Sequence, residues 1–183
     1  MEFQFCAEIT DFKIIYSVLK AISFKEYAIV RPLEEGLKIT IEETKCVETS
    51  AYIPSNLFTS YYIDTNEDIK FKLSLKVLTE CLHIYGDDGN PSLKMTYKGV
   101  GSPLCLVIKH SEENITVDCE IYTLNVDEFA DVSLAYECGL DKVVVNAGHL
   151  VDVLSDVDNT SDELELLLSP DPPYFRISTT SIM

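Results

Sequence analysis

The chain has 183 residues, enough for one large domain or two small ones. Apolar residues make up 46% and charged residues 25%, a globular balance that excludes global disorder. Thirty-one acidic residues against 14 basic ones give a net charge of −17, which argues against binding nucleic acid by bulk charge; any such contact needs a local basic stripe.

In chain order, FQFCAEI (Phe3 to Ile9) reads as a strand. A helix follows from Asp11 to about Phe24, with Thr10 and Asp11 at its N-cap. Ile15, Val18, Leu19 and Ile22 form its apolar stripe, and Lys13, Tyr16, Ser17 and Lys20 lie opposite. Strands YAIVR and GLKITIEE come next; in the second, Leu37, Ile39 and Ile41 alternate with Lys38, Thr40 and Glu42, the period of a half-buried sheet. The pattern then repeats. IKFKLSL precedes a helix from Leu75 to about Tyr85 that buries Leu75, Leu78 and Leu82 and exposes Lys76, Thr79, Glu80 and His83. Gly86 stops this helix, and strands LKMTYKG, LCLVIKH and NITVDCEIY follow, with a turn at Gly99–Gly101.

Residues 123–140 show no clear period and read as an extended connector. A third copy begins with DKVVVNA as a strand. Its helix, from about Gly148 to Val157, buries Leu150, Val151, Leu154 and Val157 and exposes His149, Asp152 and Asp156. Strands ELELLLS and YFRISTT close the copy, joined by the rigid turn Ser169-Pro-Asp-Pro-Pro173. The helix starts lie about 64 and about 72 residues apart, too long for a solenoid repeat and right for a β-α-β-β supersecondary unit. The reading is α+β: residues 1–122 form a domain of two β-α-β-β-β units, with both helices on one face of a continuous antiparallel sheet. Residues 141–183 form a partial second domain of one unit.

Six cysteines without a CxxC pair, and only three histidines, supply no structural zinc spacing, so no metal or other cofactor is expected. The first residues lack a basic, then apolar, leader pattern, and no apolar run approaches the ~20 residues that cross a bilayer. Reduced thiols in the cytosol or nucleus are expected, and the sequons at Asn114 and Asn159 then carry no glycan.

The order KAISFKEYAIVRPLEEGLKITIEETKCVETSAYIPSNLF, FKLSLKVLTECLHIYG, LKMTYKGVGSPLCLVI and SPDPPYFRISTTS resembles the checkpoint sliding-clamp subunits of the Rad-one/Rec-one family, over Phe3 to about Ser181. These are members of the heterotrimeric nine-one-one clamp, related to proliferating cell nuclear antigen. The resemblance implies a PCNA-like clamp fold and a nuclear, non-catalytic subunit acting in the DNA damage checkpoint and DNA repair. The implied partners are two sibling subunits, double-stranded DNA in the ring hole, a separate ATP-driven clamp loader, and checkpoint and repair proteins, with no membrane.

Carried onto this chain, the resemblance turns Lys13, Tyr16, Ser17, Lys20, Lys76 and His83 towards DNA; the alternative is that these polar faces are merely solvated. Val126, Phe129, Val132 and Leu134 either line an apolar pocket for partner peptides or pin the connector to the sheet. The subunit-joining strand corresponds to Asn114, Ile115, Thr116, Val117, Asp118, Cys119, Glu120, Ile121 and Tyr122. The family is longer than this chain, so the reading expects an isoform, fragment or truncated gene model that keeps one joining edge. It would then bind one sibling without closing the ring.

The alternative chemistry is a 3′–5′ exonuclease, an activity ascribed to some members of this family. It needs three or four convergent carboxylates holding two metal ions. Asp118 and Glu120 share one strand face, but Asp-x-Glu arises by chance in so acidic a chain and no motif completes it. No GxSxG, P-loop or GxGxxG occurs, and Cys81 and Cys119 read as packed thiols.

Overall fold

The computed structural model describes residues 3–43, 47–86, 89–110, 113–126, 143–157, 160–161 and 163–179. Contacts divide the chain into two units, 1–132 and 133–183.

The first unit runs β1 (Phe5–Ile9), α1 (Lys13–Ile22), β2 (Tyr27–Leu33), β3 (Gly36–Glu43), β4 (Val47–Pro54), a 3-10 turn (Ser55–Leu57) and β5 (Ser60–Ile63). It continues with β6 (Phe71–Ser74), α2 (Leu75–Leu82), β7 (Ser92–Tyr97), β8 (Leu104–His110) and β9 (Ile115–Ile121). The repeated unit is present, but the strands form two antiparallel sheets rather than one continuous layer. One has the order β5-β1-β7-β8-β9, the other β4-β3-β2-β6. The cause is an exchange of first strands. β1 sits between β5 and β7 and so joins the sheet of the second repeat, while β6 pairs with β2 of the first. Each helix therefore carries the chain from one sheet to the other.

Alternation decides which side of each strand is buried. Phe5, Ala7 and Ile9 of β1, with Leu104, Leu106 and Ile108 of β8, enter the core from one sheet. Leu37, Ile39, Ile41, Phe71 and Leu73 enter it from the other, and Ile15, Leu19, Leu75, Leu78 and Leu82 from the helices. All belong to one apolar cluster. Phe71 and Tyr97 stack with centroids 4.3 Å apart, joining β6 of one sheet to β7 of the other.

The β2–β3 hairpin depends on Gly36, where φ is +147° and a Cβ would run into the Ile53 carbonyl oxygen. α1 is shorter than its sequence pattern. Phe12 is drawn into the core and takes the N-cap position without a side-chain cap. Asp11 Oδ1 still accepts from Lys13 N at 3.0 Å, but outside the helix. α2 is capped by Ser74, whose Oγ accepts from Val77 N. It ends at Leu82, and Gly86 lies beyond it at φ +62°.

The second unit holds α3 (Ala147–Ser155) and the antiparallel hairpin of β10 (Leu164–Leu168) and β11 (Phe175–Thr179). Asn146 caps α3 through its Oδ1, which accepts from Gly148 N and His149 N. Two expectations fail here. Val143–Asn146 forms no strand, because no ladder partner for it exists among the described residues. The stripe expected to be buried is not: Val151 is 62% and Leu154 46% exposed, while Leu150 and Val157 are half-buried. A two-stranded hairpin is too narrow to cover a helix face.

Candidate DNA-facing surface and joining edge

α1 and α2 pack beside each other with their leucine stripes in the core, which leaves their polar stripes on the outside of the same layer. The His83 ring stacks on Tyr16, with centroids 5.0 Å apart. Lys20 Nζ stands 5.8 Å from the same Tyr16 ring. A cleft of about 500 Å³ runs along α1, lined by Lys13, Tyr16, Ser17 and Lys20 on one side and Leu82 and Pro91 on the other.

Of the six residues expected on this face, Lys13, Ser17, Lys20, Lys76 and His83 are exposed. Tyr16 differs: it is half-buried and packs against the core, so its ring serves the helix–helix contact. The two stripes differ in charge. α1 carries Lys13 and Lys20 and no acidic residue. On α2, Glu80 falls between Lys76 and His83 on the same stripe and offsets the lysine. Positive charge on this surface is therefore centred on α1. In the second unit, the exposed side chains of α3 include Asp152, with Asp156 at its C-cap.

β9 is the outer strand of the five-stranded sheet and pairs with β8 alone. Its other edge leaves backbone donors and acceptors available to a further strand. Val117, Cys119 and Ile121 turn inward, while Thr116, Asp118 and Glu120 are exposed. Ile115 is exposed at the start of the strand and Tyr122 just past its end, and Asn114 forms the preceding turn at φ 52°. α2 backs this edge: Cys81 packs beside Cys119, and burial pushes the Cys81 thiol up to about 11. Both are free thiols, inside the packing as expected. Asp118 and Glu120 do share a face, but no three His, Cys, Asp or Glu side chains converge into a metal-binding group among the described residues.

Past β9, Thr123 Oγ1 donates to Ser102 O, and Leu124 pairs with Lys72 through hydrogen bonds of 2.7 and 3.0 Å. Leu124 thus bridges to the outer edge of β6 at Lys72. Val126 is half-buried; Phe129, Val132 and Leu134 lie outside the described residues.

Doubled β-α-β units with antiparallel sheets and helices that share an outer polar surface define a PCNA-like clamp fold. The family model described as "Repair protein Rad1/Rec1/Rad17" matches residues 4–183, and the chain belongs to that family. It is 34% identical to the "Cell cycle checkpoint protein RAD1" of Mus musculus, over 96% of this chain and 64% of that protein. The Homo sapiens protein of the same name is 32% identical, over 97% and 64% respectively. The "DNA repair protein Rad1" of Drosophila melanogaster is 29% identical, over 98% and 65%. The chain thus spans about two thirds of the length of these relatives, 64% for the first two.

Proposed function

We propose that the chain serves as a non-catalytic subunit of a heterotrimeric DNA sliding clamp in the nucleus, a platform for checkpoint and repair proteins at damaged DNA. The observation that carries this reading is the shared outer surface of α1 and α2, with Lys13 and Lys20 exposed on a chain otherwise strongly acidic. Two cations seven residues apart on one helix face can follow a phosphate backbone without reading bases. Weak contacts of this kind suit a ring that is retained by topology and has to slide.

In this reading the free edge of β9 receives a strand of one sibling subunit and extends the sheet across the joint. The connector, with Val126 at its start, contributes to a peptide-binding surface. Loading falls to a separate ATP-driven machine, and Asp118 and Glu120 discourage wrong edge pairing rather than hold metal. Co-expression with the two siblings, followed by sizing and native mass spectrometry, tests the assembly. The expected result is a complex containing this chain; a chain that always elutes alone overturns the reading.

A further inference from the structure

The outer face of the four-stranded sheet carries a second basic surface, on the opposite side of that sheet from the core. Arg31 pairs with Lys38 across β2 and β3, and Lys38 pairs with Tyr52 across β3 and β4. Directly paired residues point to the same side, so these three form one row across the sheet. Lys72 pairs with Ile29, two residues from Arg31 and on the same side of β2. Lys70 is tied to the row through Asp68, which takes Arg31 at 3.1 Å and Lys70 at 3.5 Å. Four of the chain's 14 basic residues thus gather at one end of this face around Asp68, while Glu42 and Glu48 lie on the same side two rows further along β3 and β4.

Two tyrosines complete the surface. Lys38 Nζ lies 5.4 Å from the ring centroid of Tyr52, and Lys72 Nζ lies 5.2 Å from that of Tyr27. Tyr52 is 63% and Tyr27 40% exposed. Cations already resting on aromatic rings lose less freedom when they meet a partner. Exposed tyrosine beside arginine is also the composition of protein-binding hot spots.

We propose that this face docks a short acidic peptide segment of a partner protein. The local cluster of Arg31, Lys38, Lys70 and Lys72 favours such an occupant against the chain's overall net charge of −17, and that opposing field selects a short segment over a long polyanion. The size of the patch favours it over nucleic acid. Four neighbouring strands span about 14 Å, the reach of roughly four extended residues. A phosphate strand running further meets Glu42 and Glu48, which pair where β3 turns into β4. With so few phosphates neutralised, its binding is weak at physiological salt. The proposal is independent of the clamp reading, because the face lies on the sheet and not on the helices.

The test is fluorescence anisotropy of a short fluorescein-labelled peptide of alternating glutamate and serine, with an oligo-dT strand of matching length as competitor. The expected result is saturable peptide binding that falls at least about tenfold in the Arg31→Glu, Lys38→Glu variant. Tyr52→Ala also weakens it, and Lys13→Glu, Lys20→Glu on α1 leaves it unchanged. Thermal melts establish that each variant is folded; if the double charge reversal is not, Lys38→Gln and Tyr52→Ala carry the test. Absence of saturable binding, insensitivity to these substitutions, or oligo-dT binding more tightly than the peptide on this face overturns the proposal.

Discussion

The imidazole of His83 lies flat on the phenol ring of Tyr16, with planes 3° from parallel and centroids 5.0 Å apart. One ring belongs to α1 and the other follows the last turn of α2, so the stack joins the two helices at their outer surface. It fixes where Lys20, which rests on the same Tyr16 ring, stands relative to α2.

A double-mutant cycle of Tyr16→Ala and His83→Ala should therefore show coupling of about 0.5–1.5 kcal/mol in urea unfolding. Tyr16→Ala alone should cost more than His83→Ala, because Tyr16 also packs against the core while His83 is exposed. Strict additivity would mean the rings do not interact in solution.

Phe71→Ala should destabilise the first unit by about 3–5 kcal/mol, since Phe71 is 1% exposed and its stack on Tyr97 joins the two sheets. The check is the urea midpoint at constant slope; a loss below about 1 kcal/mol would contradict the packing described.

Gly36→Ala should cost about 1–3 kcal/mol although it adds one methyl group. The positive φ and the Ile53 carbonyl both oppose a Cβ at that position. Ala at exposed Gly101, where φ is also positive but nothing lies within 4 Å, should be tolerated better. Thermal melts of the two variants make the comparison.

Alkaline pH should destabilise the fold in two stages. Burial raises the Cys81 thiol from 9.0 to about 11 and the Tyr61 phenol from 10.0 to about 12. Both favour their neutral forms in the folded state. Their contribution is therefore complete below pH 9 and is lost first as pH rises from 9 to about 11, then from 10 to about 12. Cys81→Ala should remove the first stage from the melting profile. An unchanged profile would show that the Cys81 thiol is not held neutral by its surroundings.

Much of this architecture is legible residue by residue. The alternation of Leu37, Ile39 and Ile41 against Lys38 and Glu42, and the leucine stripe at 75, 78 and 82, emerge with the expected sides buried; Thr40, read on the open side, is instead buried and hydrogen-bonded to the Ser50 hydroxyl at 2.8 Å. β4 is harder to see, because its inward positions include Thr49 and Ala51 and its contrast with the outward side is weak. The exchange of β1 and β6 leaves no trace in periodicity, which states that a strand is half-buried but not which strand it pairs with. The basic row on the four-stranded sheet is invisible for the same reason: Arg31, Lys38 and Lys72 come from separate segments and meet only through register. In the second unit, the β-branched run Val143–Val145 has strand propensity but no ladder among the described residues, and the described hairpin leaves Val151 and Leu154 of α3 exposed.

Position-specific photocross-linking tests the proposed function most directly. A photoreactive residue replaces Lys20 on α1 or Lys38 on the outer sheet face, and the protein is assembled with its proposed siblings around a DNA duplex. The account predicts DNA adducts from position 20 and none from position 38. Adducts from position 38 alone, or from neither position, would contradict it.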